Sequence, residues 1–132
     1  AIPGLIHLLE ALQEANIPAA VATSGLPVNI RFMFDHVPIE KYFKVVVDST
    51  MVIKGKPDPE IFLTAAKLIQ AVPEECIAFE DSKAGIASAK AAGMKVVALT
   101  TTHTAGELDN AHSIIKDYTE INIADMQQLL LK

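Results

Sequence analysis

Two adjacent carboxylates, Glu80 and Asp81, are the first residues in this sequence whose type and spacing could do chemistry. The apolar run Cys76–Phe79 before them is predicted to be a buried strand, and a helix rich in small residues is predicted over Ser82–Gly93. Open α/β sheets place their ligands at the carboxyl ends of parallel strands. Such a pair suits a hard cation such as Mg²⁺, which prefers oxygen ligands and can bind a phosphate as well. The alternative is that Asp81 only caps the helix and Glu80 is a solvated loop acid.

Two other strand ends carry polar groups of complementary kinds. Thr23, Ser24 and Gly25 follow a predicted strand, and their hydroxyls and backbone N–H groups precede a helix, which suits phosphate oxygens. Lys56 follows the next strand on a proline-stiffened loop and offers a fixed positive charge. Because the carboxyl ends of parallel strands open on one edge of a sheet, we expect these groups to converge on a phosphoryl group undergoing transfer. The alternative is that each stretch is an ordinary turn or a loop before a capped helix.

The elements that must position these residues alternate between strand and helix. Strands are predicted over Ile17–Ala22, Lys44–Asp48, Cys76–Phe79, Lys95–Thr100 and Ser113–Ile115. Helices are predicted after Pro3-Gly4, from Pro27, after Pro59, over Ser82–Gly93 and at the carboxyl terminus, where Asp125 is expected to be the cap. In the helix after Pro59, inward positions are expected for Ile61, Phe62, Ala65 and Leu68. The pattern predicts an α/β fold with a parallel sheet, forming one domain over residues 1–132.

Composition excludes several classes of protein. The net charge is −5 and no basic stripe occurs, which argues against nucleic acid or an anionic membrane surface as a partner. The single cysteine, Cys76, lies in a strand-like run and is expected to be a small buried side chain rather than a nucleophile. No apolar run approaches the ~20 residues that a membrane span needs, and the amino-terminal residues do not resemble a secretory signal. We therefore expect a cytoplasmic protein.

Three segments of the sequence resemble known motifs. They are Val-Ala-Thr-Ser-Gly at 21–25, Gly-Lys-Pro-Asp-Pro-Glu-Ile-Phe at 55–62 and Phe-Glu-Asp-Ser-Lys-Ala-Gly-Ile-Ala-Ser-Ala-Lys-Ala-Ala-Gly-Met at 79–94. In this order, they resemble motifs two, three and four of the haloacid dehalogenase superfamily. The similarity is greatest to its β-phosphoglucomutase and sugar-phosphate phosphatase branch, and it spans nearly the whole chain. It implies a Rossmann-like three-layer α/β/α core.

The resemblance also implies roles for the candidate residues. Thr23 would hold the transferring phosphoryl group with Ser24 and Gly25 beside it, Lys56 would bridge phosphate and nucleophile, and Glu80 and Asp81 would hold Mg²⁺. The implied activity is that of a phosphohydrolase or phosphomutase acting on a small phosphorylated metabolite through an aspartyl phosphate.

The family's first motif, Asp-x-Asp-Gly-Thr, is absent from these 132 residues. Its first Asp is the family's nucleophile, and its strand lies between those that end at Thr23 and Glu80. Ala1–Gly4 resembles the point where the family's chain re-enters the core after its helical cap. The expectation is therefore a core portion that is incomplete at its N-terminal strand and inactive alone. The gap would be closed by an N-terminal segment, by a strand from a second chain, or by rearrangement of the sheet.

Two other functions fit parts of the pattern. A non-catalytic module could retain the fold and only anion or metal binding. A response-regulator receiver also combines acids, a hydroxyl and a Lys-Pro pair, but receivers place their acids before the lysine, whereas here Glu80 and Asp81 follow Lys56. The order disfavours the receiver and leaves the non-catalytic module as the alternative.

Overall fold

The computed structural model describes residues 2–132, and strands alternate with helices throughout. Ala1, which the sequence places at the re-entry into the core, lies outside the described residues. The strands are β1 (Ala20–Ala22), β2 (Val45–Val47), β3 (Ile77–Glu80), β4 (Lys95–Leu99) and β5 (Ser113–Ile115). The helices are α1 (Leu5–Glu14), α2 (Pro27–His36), α3 (Glu60–Leu68), α4 (Lys83–Ala91) and α5 (Ile123–Leu131). Short 3₁₀ turns lie at Glu40–Tyr42, Ser49–Met51, Pro73–Glu75, Ala105–Leu108 and Tyr118–Glu120.

Helix α4 ends as its sequence predicts. Ser82 is the N-cap, and its hydroxyl accepts a hydrogen bond from the Gly85 N–H at 3.0 Å. Gly93 follows the helix with φ of 95°, a left-handed conformation that favours glycine after a helix end. Because Ser82 supplies the cap, Asp81 is not needed for it.

Several boundary predictions were wrong. β1 begins at Ala20 rather than Ile17, and Cys76 lies just before β3 rather than within it. α5 is capped by Asn122, while Asp125 is the third helical residue and accepts the Asn122 N–H in a capping box. Leu68, expected to face inward, is the last residue of α3 and is 44% exposed, whereas Ile61, Phe62 and Ala65 are buried as expected.

The strands pair in parallel but form two sheets. β1 pairs with β2, and β4 pairs with both β3 and β5. Within residues 2–132, no strand hydrogen-bonds to both β1 and β3, so these two strands are sheet edges. The rearranged sheet that would join them, one of the three expected outcomes, is not formed.

Helices cover both faces of the strands, which gives the three-layer α/β/α arrangement. One hydrophobic cluster holds α3 and α4 against both sheets, and it includes Val47, Ala78 and Val96. On the opposite face, α1 and α2 pack on the smaller sheet, and α5 packs on the larger one. Successive residues of β4 alternate between clusters, since Val96 and Ala98 face α4 whereas Val97 and Leu99 face α5. The shared cluster keeps the carboxyl ends of both sheets at one side of the molecule.

None of the helices within residues 2–132 combines the length and the apolar character required to cross a membrane.

Candidate functional site

The ammonium group of Lys56 joins the two sheets at the carboxyl ends of their strands. Its Nζ donates to Oε2 of Glu80, the last residue of β3, at 2.6 Å. It also donates to the backbone carbonyl of Ala22, the last residue of β1, at 3.4 Å. The Nζ lies 5.3 Å from the ring centroid of Phe62, whose face favours a cation. The predicted convergence of Lys56 with two strand ends is therefore seen in the structure.

Glu80 is a buried acid held between Lys56 and the first turn of α4. Its side chain is only 9% exposed, and its Oε1 lies 3.4 Å from the Ser82 hydroxyl, which can donate to it. A Cβ at Gly85 would lie 1.8 Å from this Oε1. Only glycine therefore lets the carboxylate occupy the space above the helix, and a buried carboxylate needs such a partner as Lys56.

Asp81 is half-buried and has weaker contacts. Thr101 Oγ1 lies 3.4 Å from its Oδ2, and Thr102 Oγ1 lies 3.4 Å from its backbone carbonyl. Both threonines belong to the loop after β4, so the end of a third strand reaches the same edge. The sequence analysis assigned no role to this loop.

Thr23 and its neighbours form a turn between β1 and α2. Thr23 Oγ1 accepts the Gly25 N–H at 3.0 Å, which leaves its O–H free to donate. Ser24 is exposed. α2 begins at Pro27, which has no N–H, and the Asn29 N–H donates to the Leu26 carbonyl. The donors that the turn presents next to Ala22, the residue whose carbonyl Lys56 contacts, are therefore the hydroxyls of Thr23 and Ser24.

The donor set fits Mg²⁺ as part of a coordination shell. Carboxylate oxygens are the ligands that this cation prefers. Among residues 2–132, the Asp81 carboxylate has one hydrogen-bond partner, the Thr101 hydroxyl at 3.4 Å, whereas one oxygen of Glu80 is occupied by Lys56. In the part of the chain that the structure describes, no group of three or more His, Cys, Asp or Glu side chains is arranged to hold a metal. Further ligands would have to come from water, substrate or other residues.

Tyr118 is a neighbour of the acids that sequence reasoning missed. Burial raises the pKa of Tyr118 to about 12, and the negative charges of Asp81 and Glu80 add to the rise. The centroid of the Tyr118 ring lies 5.4 Å from that of the Phe79 ring, and both rings pack against the hydrophobic cluster under α5.

Burial together with the negative charges of Glu75 and Glu74 raises the pKa of the Cys76 thiol, which disfavours a thiolate nucleophile at this position.

Comparison with known proteins gives a consistent result. Residues 1–99 match the family described as haloacid dehalogenase-like hydrolase. The chain is 38% identical over 120 residues to validoxylamine A 7′-phosphate phosphatase of Streptomyces hygroscopicus subsp. limoneus, covering 91% of this chain and 56% of that protein. It is 42% identical over 96 residues to β-phosphoglucomutase of Bacillus subtilis, covering 73% and 42%.

A solved structure, the HAD hydrolase of family IA, variant 3, from Entamoeba histolytica, superposes with a TM-score of 0.93 at 32% identity. The alignment covers 99% of this chain and 61% of that one. The chain therefore spans about half the length of the curated relatives it matches.

Proposed function

This chain belongs to the haloacid dehalogenase-like hydrolase family, and we propose that residues 1–132 form the core domain of a Mg²⁺-dependent phosphohydrolase or phosphomutase. Its substrate would be a small phosphorylated metabolite of the sugar-phosphate class, since its relatives include a validoxylamine phosphate phosphatase and a β-phosphoglucomutase. The observation that carries the proposal is the placement of the Lys56 ammonium between Glu80 and the end of β1, with Asp81 directly after Glu80 in the chain.

Each candidate residue has a role that its contacts support. The free O–H of Thr23, with Ser24 and Gly25 beside it, would donate to phosphate oxygens. Lys56 would neutralise the repulsion between an anionic nucleophile and an anionic phosphoryl group. Asp81 and Glu80 would hold Mg²⁺, and the bound cation would neutralise charge on the phosphate. Asp81 is the more available ligand because, within residues 2–132, its carboxylate contacts a single hydroxyl at 3.4 Å.

The nucleophile is proposed to come from outside these 132 residues. They contain no Asp-x-Asp pair, and among residues 2–132 no strand pairs with the outer edge of β1 or with that of β3. A strand inserted between β1 and β3 would place its carboxyl end next to Lys56. An N-terminal segment or a second chain could supply that strand, and its aspartate would form the aspartyl phosphate.

The test uses the protein expressed from its complete open reading frame. Release of inorganic phosphate, or isomerisation, is measured on a panel of hexose and pentose phosphates with Mg²⁺ and again with EDTA. Turnover that EDTA abolishes and Mg²⁺ restores, with a hydroxylamine-sensitive phosphoenzyme after rapid quenching, is expected. Turnover that is unchanged by EDTA would contradict the metal role, and turnover without a phosphoenzyme would contradict the aspartyl phosphate.

The second candidate is a non-catalytic module that binds only anions or metal. The observation in its favour is that no group of three potential metal ligands forms among residues 2–132. It predicts that the complete protein binds phosphate or Mg²⁺ by titration calorimetry without turnover on any phosphorylated substrate.

A further inference from the structure

Two side chains, one from α3 and one from α4, hydrogen-bond to the backbone of the loop that carries Lys56. The Glu60 carboxylate accepts the backbone N–H groups of Ile53 at 2.8 Å and Lys54 at 3.1 Å, just before Lys56. The Ser88 hydroxyl donates to the backbone carbonyl of Asp58 at 2.6 Å, just after Lys56. Lys56 is therefore bracketed by one anchor on each side.

Ser88 stands where an apolar side chain would be expected. It is fully buried in α4, and its neighbours Ile86 and Ala89 belong to the core cluster. Alanine would be the better helix former at this position, and a buried hydroxyl is costly unless it is hydrogen-bonded. The bond to Asp58 is what satisfies the hydroxyl. Ser88 also lies three residues after Gly85, on the same face of α4, so one helix face contacts both the Lys56 loop and Glu80.

Glu60 is more than a favourable acid in the first turn of α3. An acid there is stabilised by the helix dipole wherever its side chain points, but this carboxylate turns back to accept two consecutive N–H groups of the loop. Charge-assisted bonds of this kind are about twice as strong as neutral ones. Inside the loop, the Asp58 N–H donates to the Gly55 carbonyl, and the Asp58 carboxylate accepts the Glu60 N–H. The loop is thereby closed onto the start of α3.

We propose that Glu60 and Ser88 are positioning residues that fix the base of the Lys56 side chain, and so the place of its ammonium, during phosphoryl transfer. This rests on the function proposed for Lys56 above. Lysine carries its charge on a flexible four-carbon stem, so a fixed backbone is required to aim it. A misplacement of about 1 Å can reduce turnover on the order of a hundredfold.

The first test follows the Lys56 ammonium without using activity. In the protein expressed from its complete open reading frame, the ¹H–¹⁵N signal of the Lys56 side chain is assigned by its loss in Lys56→Arg. Glu60→Ala and Ser88→Ala are expected to shift or broaden this signal. The matched control is Asp125→Ala, because Asp125 is also a first-turn acid that accepts an upstream N–H but lies on α5. A Lys56 signal that is unchanged in both loop variants would overturn the proposal.

The second test asks whether the anchors act through Lys56. Glu60→Ala and Ser88→Ala are each expected to lower turnover roughly tenfold to a hundredfold when Lys56 is present, and to lower it no further in the Lys56→Ala background. Glu60→Gln, which keeps one carbonyl acceptor for two N–H groups, is expected to be intermediate. Equal losses in both backgrounds would overturn the positioning role. If Lys56→Ala itself leaves turnover unchanged, the proposed function of Lys56 fails, and the ammonium signal alone decides whether the anchors hold the loop.

Discussion

The two acids at the end of β3 are adjacent in sequence but have different surroundings. Glu80 is buried and ion-paired with Lys56 at 2.6 Å, and glycine at position 85 makes room for it. Asp81 is half-buried, and the two Thr hydroxyls beside it lie 3.4 Å away. The chain thus completes the contacts of Glu80 by itself and leaves those of Asp81 weak. Lys56 and Glu80 thus already form an ion pair, and we infer that the Asp81 carboxylate is the acid that is free to bind a ligand.

This difference separates the expected effects of mutation. Removing one partner of a buried ion pair leaves an uncompensated charge and typically costs about 3–5 kcal/mol of stability. Removing the Asp81 carboxylate, whose side-chain partner is a hydroxyl at 3.4 Å, should cost little stability, so any large effect on turnover would come from a lost ligand. Stability and turnover should therefore be measured together in every variant.

The largest effect on turnover is expected at Asp81. Asp81→Ala in the complete protein should abolish Mg²⁺-dependent turnover, because this carboxylate is the more available of the two proposed metal ligands, while the unfolding midpoint stays nearly unchanged. Glu80→Ala should retain more activity at saturating Mg²⁺ if water replaces one ligand, but should lose stability. Asp109→Ala, at an exposed acid outside the site, is the control for loss of one negative charge. Undiminished turnover of Asp81→Ala would remove Asp81 from the metal site.

The next effect is on stability, at Gly85. Alanine in a helix is intrinsically favoured over glycine by about 1 kcal/mol. Here its Cβ would lie 1.8 Å from Glu80 Oε1, so Gly85→Ala should instead destabilise the protein by about 1–3 kcal/mol in urea unfolding. In the Glu80→Ala background the clash is absent, and the same substitution should become neutral or stabilising. A destabilisation of equal size in both backgrounds would show that Glu80 does not occupy this space.

The smallest effect is expected at Tyr118. Its pKa of about 12 reflects burial first and the charges of Asp81 and Glu80 second. Because the folded chain keeps the phenol neutral while the unfolded chain ionises near 10, the free energy of unfolding should fall as the pH rises from about 10 to about 12. Ultraviolet titration measures this pKa as the absorbance change that is lost when the protein is compared with its Tyr118→Phe variant. Asp81→Asn should lower it, and an unchanged value would place the acid farther from the phenol.

Much of the fold could be predicted from sequence because it depends on local patterns. The periodicity of α1, the proline that begins α2 and the glycine after α4 each predict one element directly. The ends of short elements were less predictable, since Asn122 and Asp125 both suit a cap and only the structure shows which one precedes the helix.

The site could be predicted only in part. The edge at which Lys56, Glu80 and Asp81 meet follows from parallel strands. The direct pairing of Lys56 with Glu80 could not be predicted, because it joins residues 24 positions apart in separate sheets. Ser88 and Glu60 gave no signal either, since a small residue in α4 and an acid in the first turn of α3 are common in any helix.

The most direct test of the account is the turnover of Lys56→Ala in the complete protein, measured with Lys54→Ala as the control from the same loop. Lys54 is exposed, and Glu60 accepts its backbone N–H, which the substitution to alanine keeps. Lys56→Ala should lower turnover on the order of a hundredfold or more, the usual size of a lost electrostatic stabiliser, while Lys54→Ala stays near the wild-type rate. A Lys56→Ala variant that is less stable but turns over at the wild-type rate would show that the pair is structural and would contradict the account.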